Sequence, residues 1–299
     1  MPEKFISEAK QNYIEILNYI TKSQQSVIKT ATVDISDIIP LARKIVTFMK
    51  RSKDLSYYAI NYYDPKDLFV SHSANVAIFS TTIGIGLKYS DEELLQLCAA
   101  GILHDIGITK IPAQIKNETE EELGKEEIHY FRKHSKLGYE SIEKNSEFSE
   151  KIAQVALHHH ERNDGSGFPD QLSGDDIHPH ARIISLIDVY EALIHPRSHR
   201  DKLVPPAGIQ QIIKNKGNYF SKPILKALIN YISIYPIGTY VKLSSDEVAR
   251  VVDLNSNNPV RPKVRVIYNS KGQKIEPYLL DLVKEPLIHI KKCLPYKIK

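Results

Sequence analysis

Two histidine-rich stretches lie at the ends of apolar helical patterns, and they limit what this chain can fold into. The first is Leu103-His104-Asp105-Ile106-Gly107, and the second runs from His158-His159-His160 through a glycine-rich turn to Pro169. A carboxylate buried without a partner is costly, and a metal ion is one of the few partners that offsets this cost. The sequence therefore predicts helices arranged around a metal centre.

The pattern of apolar residues predicts a mainly α-helical chain with a small β-containing C-terminal part. We expect residues 1–58 to form an N-terminal helical region and residues 59–299 to form the second unit. Within that unit, the metal-binding helical core is predicted at 59–205, and C-terminal helices with short strands at 206–299.

Individual elements can be predicted from local signals. A helix is expected to start near Asp67 and to run through Ile83, and another to start at a capping box of Ser90 and Glu93. A mostly apolar helix is predicted over 180–194. Further along, apolar residues alternate with polar ones around Val264, Val266 and Tyr268, which is typical of a strand.

Composition excludes several classes of protein. The chain has 42% hydrophobic and 25% charged residues and a net charge of +4, which is ordinary for a soluble globular protein. Without a long Lys/Arg run we expect no nucleic-acid partner. We also expect no membrane association, because there is neither a signal-peptide pattern nor an 18-residue apolar stretch. Two distant cysteines, Cys98 and Cys293, form no disulfide framework, which favours the cytoplasm.

Each candidate ligand taken alone has a structural explanation. His72 could be a helix residue hydrogen-bonded locally, and Asp188 could pair with Arg182 or with a helix N-terminus. His104 and Asp105 are neighbours whose side chains point about 100° apart on a helix, so both reach one metal only near a distorted helix end. Gly107 is expected to give the backbone that freedom.

The candidates make a stronger case as a set. His158, His159 and His160 cannot all face inward, and the apolar periodicity favours His159 and His160 as ligands. The mixture of imidazole and carboxylate without thiolate suits iron, manganese or another first-row metal. With His72, His104, Asp105, His134 and Asp188 the set has seven groups, which is too many for one ion. Two ions with one carboxylate between them would use all seven.

The order of these motifs resembles the HD-GYP family, a branch of the HD phosphohydrolases. The resemblance covers roughly residues 35–285. It is carried by an early His, His-Asp-x-Gly, an isolated His, His-His-Glu, Asp-Gly-x-Gly-aromatic-Pro, and an Asp in the apolar segment Asp188-Val189-Tyr190-Glu191-Ala192-Leu193.

Membership implies a helical HD core with a metal centre that acts on cyclic di-GMP. The resemblance implies a two- or three-metal centre, with iron as the first metal and manganese as the alternative. We expect two divalent ions, because the set has seven ligands and Leu68 replaces the glutamate for a third ion, and we expect Asp105 to bridge them as the catalytic carboxylate. The implied ligands are His72, His104, Asp105, His134, His159, His160 and Asp188.

Four departures from the family pattern concern groups other than these ligands. Ile108 stands where the lysine after His-Asp-x-Gly is typical, and Phe168 replaces the motif's tyrosine. Leu68 occupies the position of a glutamate that supports a third metal in some members, and Arg197-Ser198-His199-Arg200 replaces Arg-Pro-Tyr-Arg. Metal ligands are kept while ligand-handling groups change, which suggests weakened or altered activity.

Two functions of different classes follow. The first is a dinuclear-metal phosphodiesterase that hydrolyses cyclic di-GMP or a related phosphoester, with Arg182, Arg197 and Arg200 as candidate phosphate contacts. A salt bridge to a neighbouring helix is an equal alternative for Arg182. The second function is a degenerate HD-GYP module that signals without turnover. It would bind a nucleotide, or a protein partner through the exposed Gly165–Pro169 turn.

Overall fold

The computed structural model describes residues 3–64, 67–116, 123–143, 146–196, 202–255 and 257–294. Most of these residues are helical. The α-helices are α1 Glu3–Thr30, α2 Ile38–Arg51, α3 Asp54–Asn61, α4 Leu68–Gly86, α5 Asp91–Leu103, α6 Ala113–Lys116, α7 Lys125–Arg132, α8 His134–Ser141, α9 Glu147–His158, α10 Pro179–Ile194, α11 Pro205–Lys216 and α12 Lys222–Ala227. Short 3-10 turns lie at Ile106–Lys110, Gly174–Asp176 and Gly217–Tyr219, and a π-helical turn lies at Leu228–Ile232.

Helix α4 lies at the centre of the helical part. It is mostly apolar, has no distinct polar face and is buried around its circumference, as expected for a helix surrounded by others. Helices α5 and α10 both pack against it. The expectation of no 18-residue apolar stretch was wrong, because α4 contains a window long and apolar enough to span a membrane. However, 78% of that window is buried inside the protein, as in the core helix of a folded domain.

Local signals in the sequence set the starts of these helices. Asp67 accepts a hydrogen bond from the Val70 amide at 3.2 Å and caps α4. The predicted capping box opens α5, where the Glu93 amide donates to Ser90 Oγ at 3.3 Å and the Ser90 amide donates to Glu93 Oε2 at 2.7 Å. The helix predicted over 180–194 is confirmed as α10.

The N-terminal helices belong to the same hydrophobic core as the later ones. This core runs from Ala9 in α1 to Ile232 in the π-helical turn. Tyr13 of α1 donates a hydrogen bond to Asn75 Oδ1 of α4 at 2.7 Å, so α1 contacts the central helix directly. Helix α3 crosses the boundary predicted at residue 58 and ends at Asn61. The division of the chain there stays a prediction.

A five-stranded antiparallel sheet completes the described chain and confirms the predicted β-containing C-terminal part. Its strands are β1 Tyr240–Leu243, β2 Val248–Asp253, β3 Lys263–Tyr268, β4 Lys274–Asp281 and β5 Ile290–Cys293. The order across the sheet is β4-β3-β2-β1-β5, around a separate small core that includes Val241, Val251 and Val264.

The sheet is joined to the N-terminal helices by polar contacts. Lys53 forms a 2.9 Å ion pair with Asp253, and the Arg250 guanidinium lies 5.0 Å from the centre of the Tyr57 ring. Asn61 Nδ2 donates to the Gly238 carbonyl at 3.3 Å. Gly238 has φ +98°, a conformation that L side chains rarely adopt, at the point where the chain enters the sheet.

Candidate metal centre

The structure brings all seven predicted ligands into one cluster. His72 projects from the second turn of α4 and Asp188 from the interior of α10, whereas the others lie at helix ends. His104 and Asp105 follow α5, His134 begins α8, and His159 and His160 follow α9. Ligand atoms of the cluster fall into two groups, each within 4.8 Å internally: Asp105 with His134, His159 and His160, and His72 with His104 and Asp188.

Asp105 lies between these two groups. Its Oδ1 is 3.3 Å from His159 Nε2 and 3.4 Å from His134 Nε2. Its Oδ2 is 3.5 Å from His104 Nε2 and 3.8 Å from His72 Nε2. Each carboxylate oxygen therefore faces a different pair of imidazoles, which is the arrangement a bridging ligand needs.

Backbone carbonyls fix the orientation of three imidazoles. The Nδ1 atoms of His104, His134 and His159 each donate to the carbonyl three residues earlier, at 2.9, 2.7 and 2.8 Å. These bonds assign the hydrogen to Nδ1 and leave the Nε2 lone pair directed into the cluster. Imidazole ligands of metals are commonly held through their second nitrogen in this way.

Several buried atoms at the centre lack hydrogen-bond partners. They are His104 Nε2, His159 Nε2 and Asp105 Oδ1. Orphaned buried polar atoms are rare because each costs desolvation free energy. Here they converge on one another, and their nitrogen and oxygen chemistry suits a first-row divalent metal. The residues present therefore fit a metal centre.

Glu191 is a functional residue that the sequence reasoning did not single out. Its Oε2 is hydrogen-bonded to His72 Nδ1, which leaves His72 Nε2 3.1 Å from Asp188 Oδ1. Its Oε1 accepts from Asn75 Nδ2 at 3.0 Å and lies 2.9 Å from His195 Nδ1. Since Glu191 follows Asp188 by three residues, both lie on one face of α10, and this spacing was the available signal.

Electrostatics favour the protonation state that binds metal. Burial lowers the pKa of His104 to about 4 and lowers the pKa of His134 and His160, so these imidazoles are neutral at pH 7. Burial alone would raise the pKa of Asp105, but the surrounding His104, His159 and His134 together hold it well below its usual range. Ionised carboxylates and neutral imidazoles are the forms that ligate metals.

The cluster is most accessible beside His160 and Asp188, whose side chains are 17% and 15% exposed, against 0% for His104, His134 and His159. The Phe168 ring stacks on His160 at 4.7 Å with an interplanar angle of 25°. The Gly165–Pro169 turn is therefore only partly exposed, contrary to expectation. Gly167 is buried and packs so closely against Glu161 that a Cβ there would lie 2.4 Å from Glu161 Cα, and within the turn only Ser166 and Pro169 are exposed.

The other predicted residues lie outside this cluster. His158 turns away, as expected, and its Nε2 is 2.9 Å from Asp170 Oδ2. Arg182 forms a 2.7 Å ion pair with Asp175, which corresponds to the salt-bridge alternative for that residue. Arg197 and Arg200 lie outside the described residues.

Gly107 has a different role from the one predicted. Its φ is outside the positive range, so backbone freedom is not what the position requires. A Cβ at this position would instead lie 2.0 Å from the His134 carbonyl oxygen and 2.4 Å from the Gly138 amide nitrogen. Glycine thus lets the turn that follows Asp105 pack directly against the backbone of α8.

We expect Gly107→Ala to lower the free energy of unfolding by about 3 kcal/mol or more, because backbone atoms cannot move aside as a flexible side chain can. Gly124→Ala is the matched control, since the nearest atom to its Cβ would be Glu127 Oε2 at 3.4 Å. Urea denaturation of both variants measures the difference. Equal stability of the two variants would contradict this close-packing role.

We expect Glu191→Gln to weaken metal binding by about 10–100-fold, because His72 loses the carboxylate that orients it. Competition with a chelator of known affinity measures this change. Glu150→Gln is a suitable control, since Glu150 lies on α9 and contacts Gln154 and Tyr139. Unchanged metal affinity in Glu191→Gln would show that His72 is held without it.

Two family models match this chain. The family model described as HD domain matches residues 61–223, and the model described as KOW domain associated with HD domain matches 240–297. A cyclic di-GMP phosphodiesterase, PdeB, of Borreliella burgdorferi is 32% identical over 203 residues, covering 68% of this chain and 53% of that protein. A cyclic di-GMP phosphodiesterase of Pseudomonas aeruginosa is 28% identical, covering 71% of this chain and 51% of its own length.

The chain thus spans about half the length of these curated relatives. Among solved structures, the HDG"Y"P protein Bd1817 from Bdellovibrio bacteriovorus has the same fold, with a TM-score of 0.60 and 16% identity over 71% of this chain and 69% of that one. The matched HD model covers more than half of the chain and includes every member of the seven-residue cluster. This chain belongs to the HD-domain family.

Proposed function

We propose that this protein is a metal-dependent phosphodiesterase that acts on cyclic di-GMP or a related phosphoester. The observation that carries this proposal is the position of Asp105, with one oxygen toward His134 and His159 and the other toward His72 and His104. The names of the relatives point to the same substrate class.

We propose two divalent ions, because the seven donors divide into two groups that share Asp105. One ion would be held by His134, His159 and His160 and the other by His72, His104 and Asp188. Iron is the first candidate and manganese the alternative, since the donors are imidazole and carboxylate without thiolate. When bound, such ions lower the pKa of water and neutralise charge on a phosphate.

The chain's own residues prepare this site before any substrate binds. Backbone carbonyls and Glu191 hold four imidazoles with their Nε2 atoms facing inward. The ligands on the α4 side are buried, whereas the side chains of His160 and Asp188 are partly exposed. We therefore expect substrate to approach the centre beside His160 and Asp188. Fixed ligands of this kind require little rearrangement during the reaction, which is a large source of rate enhancement.

The second candidate function is a degenerate module that binds a nucleotide or a signalling partner without turnover. It is favoured by Ile108, which places no ammonium beside the centre, and by Phe168, whose ring stacks on His160 without offering a hydroxyl. Ser166 and Pro169 would be the exposed contacts for a partner. We also propose a cytoplasmic location, since Cys98 and Cys293 are free thiols rather than a disulfide, as is typical of a reducing compartment.

Arg182, Arg197 and Arg200 are retained as candidate phosphate contacts. The ion pair of Arg182 with Asp175 favours a structural role for that residue. Cyclic di-GMP affinity of the three single alanine variants, with thermal stability measured in parallel, separates the two roles. Unchanged affinity in all three variants would remove them from the site.

The function is tested by incubating anaerobically reconstituted protein with cyclic di-GMP and separating the products by chromatography. We expect slow formation of a linear dinucleotide that is absent in Asp105→Ala. Binding without any product, by the wild type and by an Ile108→Lys, Phe168→Tyr variant alike, would support the second function. Neither binding nor turnover would contradict both.

A further inference from the structure

Arg132 lies beside the accessible side of the metal centre. It is the last residue of α7, two positions before His134, and its side chain is exposed. The central carbon of its guanidinium lies 4.9 Å from the centre of the Phe168 ring. That ring in turn stacks on His160 at 4.7 Å. At the most exposed edge of the cluster, the Arg132 cation thus contacts the Phe168 ring, and the Phe168 ring contacts the imidazole of His160.

The backbone fixes the position of Arg132 relative to the ligands. His134 Nδ1 donates to the Phe131 carbonyl at 2.7 Å, and Ser135 Oγ donates to the Arg132 carbonyl at 3.3 Å. Arg132 is therefore attached to the same turn that holds a metal-ligand imidazole. Contact of its guanidinium with the Phe168 face further restricts the side chain, as cation–π pairs do.

The separation from the donor cluster determines what Arg132 can reach. The Phe168 ring contacts both groups, with its centre 4.9 Å from the Arg132 guanidinium carbon and 4.7 Å from the centre of the His160 ring, so one aromatic ring links the positive charge to the donor cluster. A phosphate held at the cluster would lie inside that ring, so Arg132 is placed for a part of the ligand further out. In a cyclic dinucleotide, the second phosphate of the macrocycle projects away from the first. A guanidinium fork matches the geometry of a phosphate.

We propose that Arg132 is a specificity-determining residue that binds the second phosphate of a cyclic dinucleotide, the one not held at the metal centre. This inference rests on the proposed function and extends it to the substrate class. Arg132 would favour ligands with two phosphates over simple phosphodiesters, because a simple phosphodiester would occupy the metal centre without reaching Arg132.

The test uses metal-loaded protein and three variants. Arg132→Met keeps an apolar stem against Phe168 and removes the charge, and Arg132→Lys restores a charge without the fork. Lys133→Met is the matched control, because Lys133 is the adjacent exposed cation and its Nζ lies 5.3 Å from the centre of the Tyr130 ring. Each variant is assayed for metal content, for binding of cyclic di-GMP and cyclic GMP-AMP, and for inhibition by, or turnover of, bis(p-nitrophenyl) phosphate, which has one phosphate.

We expect Arg132→Met to raise the Kd for the cyclic dinucleotide by about 10–100-fold, as for loss of a hydrogen bond to a charged group. Its metal content and its interaction with bis(p-nitrophenyl) phosphate should stay within about twofold of wild type, as should every property of Lys133→Met. Arg132→Lys should recover part of the affinity, because it keeps a charge but not the paired donors.

The outcomes separate this inference from the proposed function. If cyclic di-GMP binds equally to wild type and Arg132→Met, the proposed function stands and the role of Arg132 is wrong. If cyclic GMP-AMP binds instead of cyclic di-GMP and Arg132→Met weakens it, the role of Arg132 stands and the assigned substrate is wrong. Equal weakening of both dinucleotides and bis(p-nitrophenyl) phosphate would overturn the role, since it would place Arg132 at the metal-bound phosphate. Binding of bis(p-nitrophenyl) phosphate alone would overturn both the role of Arg132 and the assignment of a cyclic dinucleotide as substrate.

Discussion

Asp105→Ala is expected to remove at least half of the bound metal. The reason is geometric, because the two oxygens of Asp105 face different pairs of imidazoles, at 3.3–3.4 Å on one side and 3.5–3.8 Å on the other. Losing this carboxylate takes a ligand from both proposed ions and leaves neighbouring imidazoles without their shared negative charge. Elemental analysis after reconstitution, with circular dichroism to verify the fold, measures the effect.

His158→Ala is the control for this prediction. His158 belongs to the same run of three histidines, but its Nε2 contacts Asp170 outside the cluster, so its loss should leave metal content nearly unchanged. If the two variants lose metal equally, the assignment of His159 and His160 as the inward-facing histidines is wrong.

The second large effect concerns the rate of turnover. We expect wild-type hydrolysis of cyclic di-GMP to be slow or undetectable, and the double variant Ile108→Lys, Phe168→Tyr to be faster by about 10²–10³-fold, the usual contribution of one well-placed donor. Ile108 lies in the 3-10 turn Ile106–Lys110 directly after Asp105 and is partly exposed, so a lysine there need not enter the core. The added hydroxyl would be carried on the ring that stacks on His160.

Initial rates at saturating metal, with both single variants measured alongside, test this expectation. Robust turnover by the wild type would contradict it and would mean that other groups have taken over these roles. Lys110, at the end of the same turn, is one candidate, and His199, outside the described residues, is another. A double variant that binds metal normally but gains no rate would contradict it as well.

Local features of the fold could be predicted from the sequence because their causes are local. The Ser90 and Glu93 capping box depends on residues three positions apart, and the apolar run of α10 is buried as its composition predicts. The inward orientation of His159 followed in the same way from the apolar face of α9. Strand β3 could be predicted because one of its faces is buried, whereas β4 is mostly exposed and shows little alternation.

Other features depend on contacts between distant parts of the chain. Glu191 orients His72 across 119 positions. The spacing of Glu191 from Asp188 indicates a shared helix face, but it does not indicate that His72 is the partner. The close approach of Gly107 to the backbone of α8 is likewise a product of packing, and the sequence suggested only that a glycine was needed. The resemblance to a known family supplied the ligand set, but not the contacts that hold its members in place.

The central claim is that the seven donors form one centre for two metal ions. The most direct measurement is elemental analysis of protein that has been purified anaerobically, stripped with a chelator, reconstituted with iron or manganese, and freed of excess metal. We expect two ions per chain, with about half of that amount or less in Asp105→Ala. Less than one ion per chain in folded, reconstituted wild-type protein would contradict the claim.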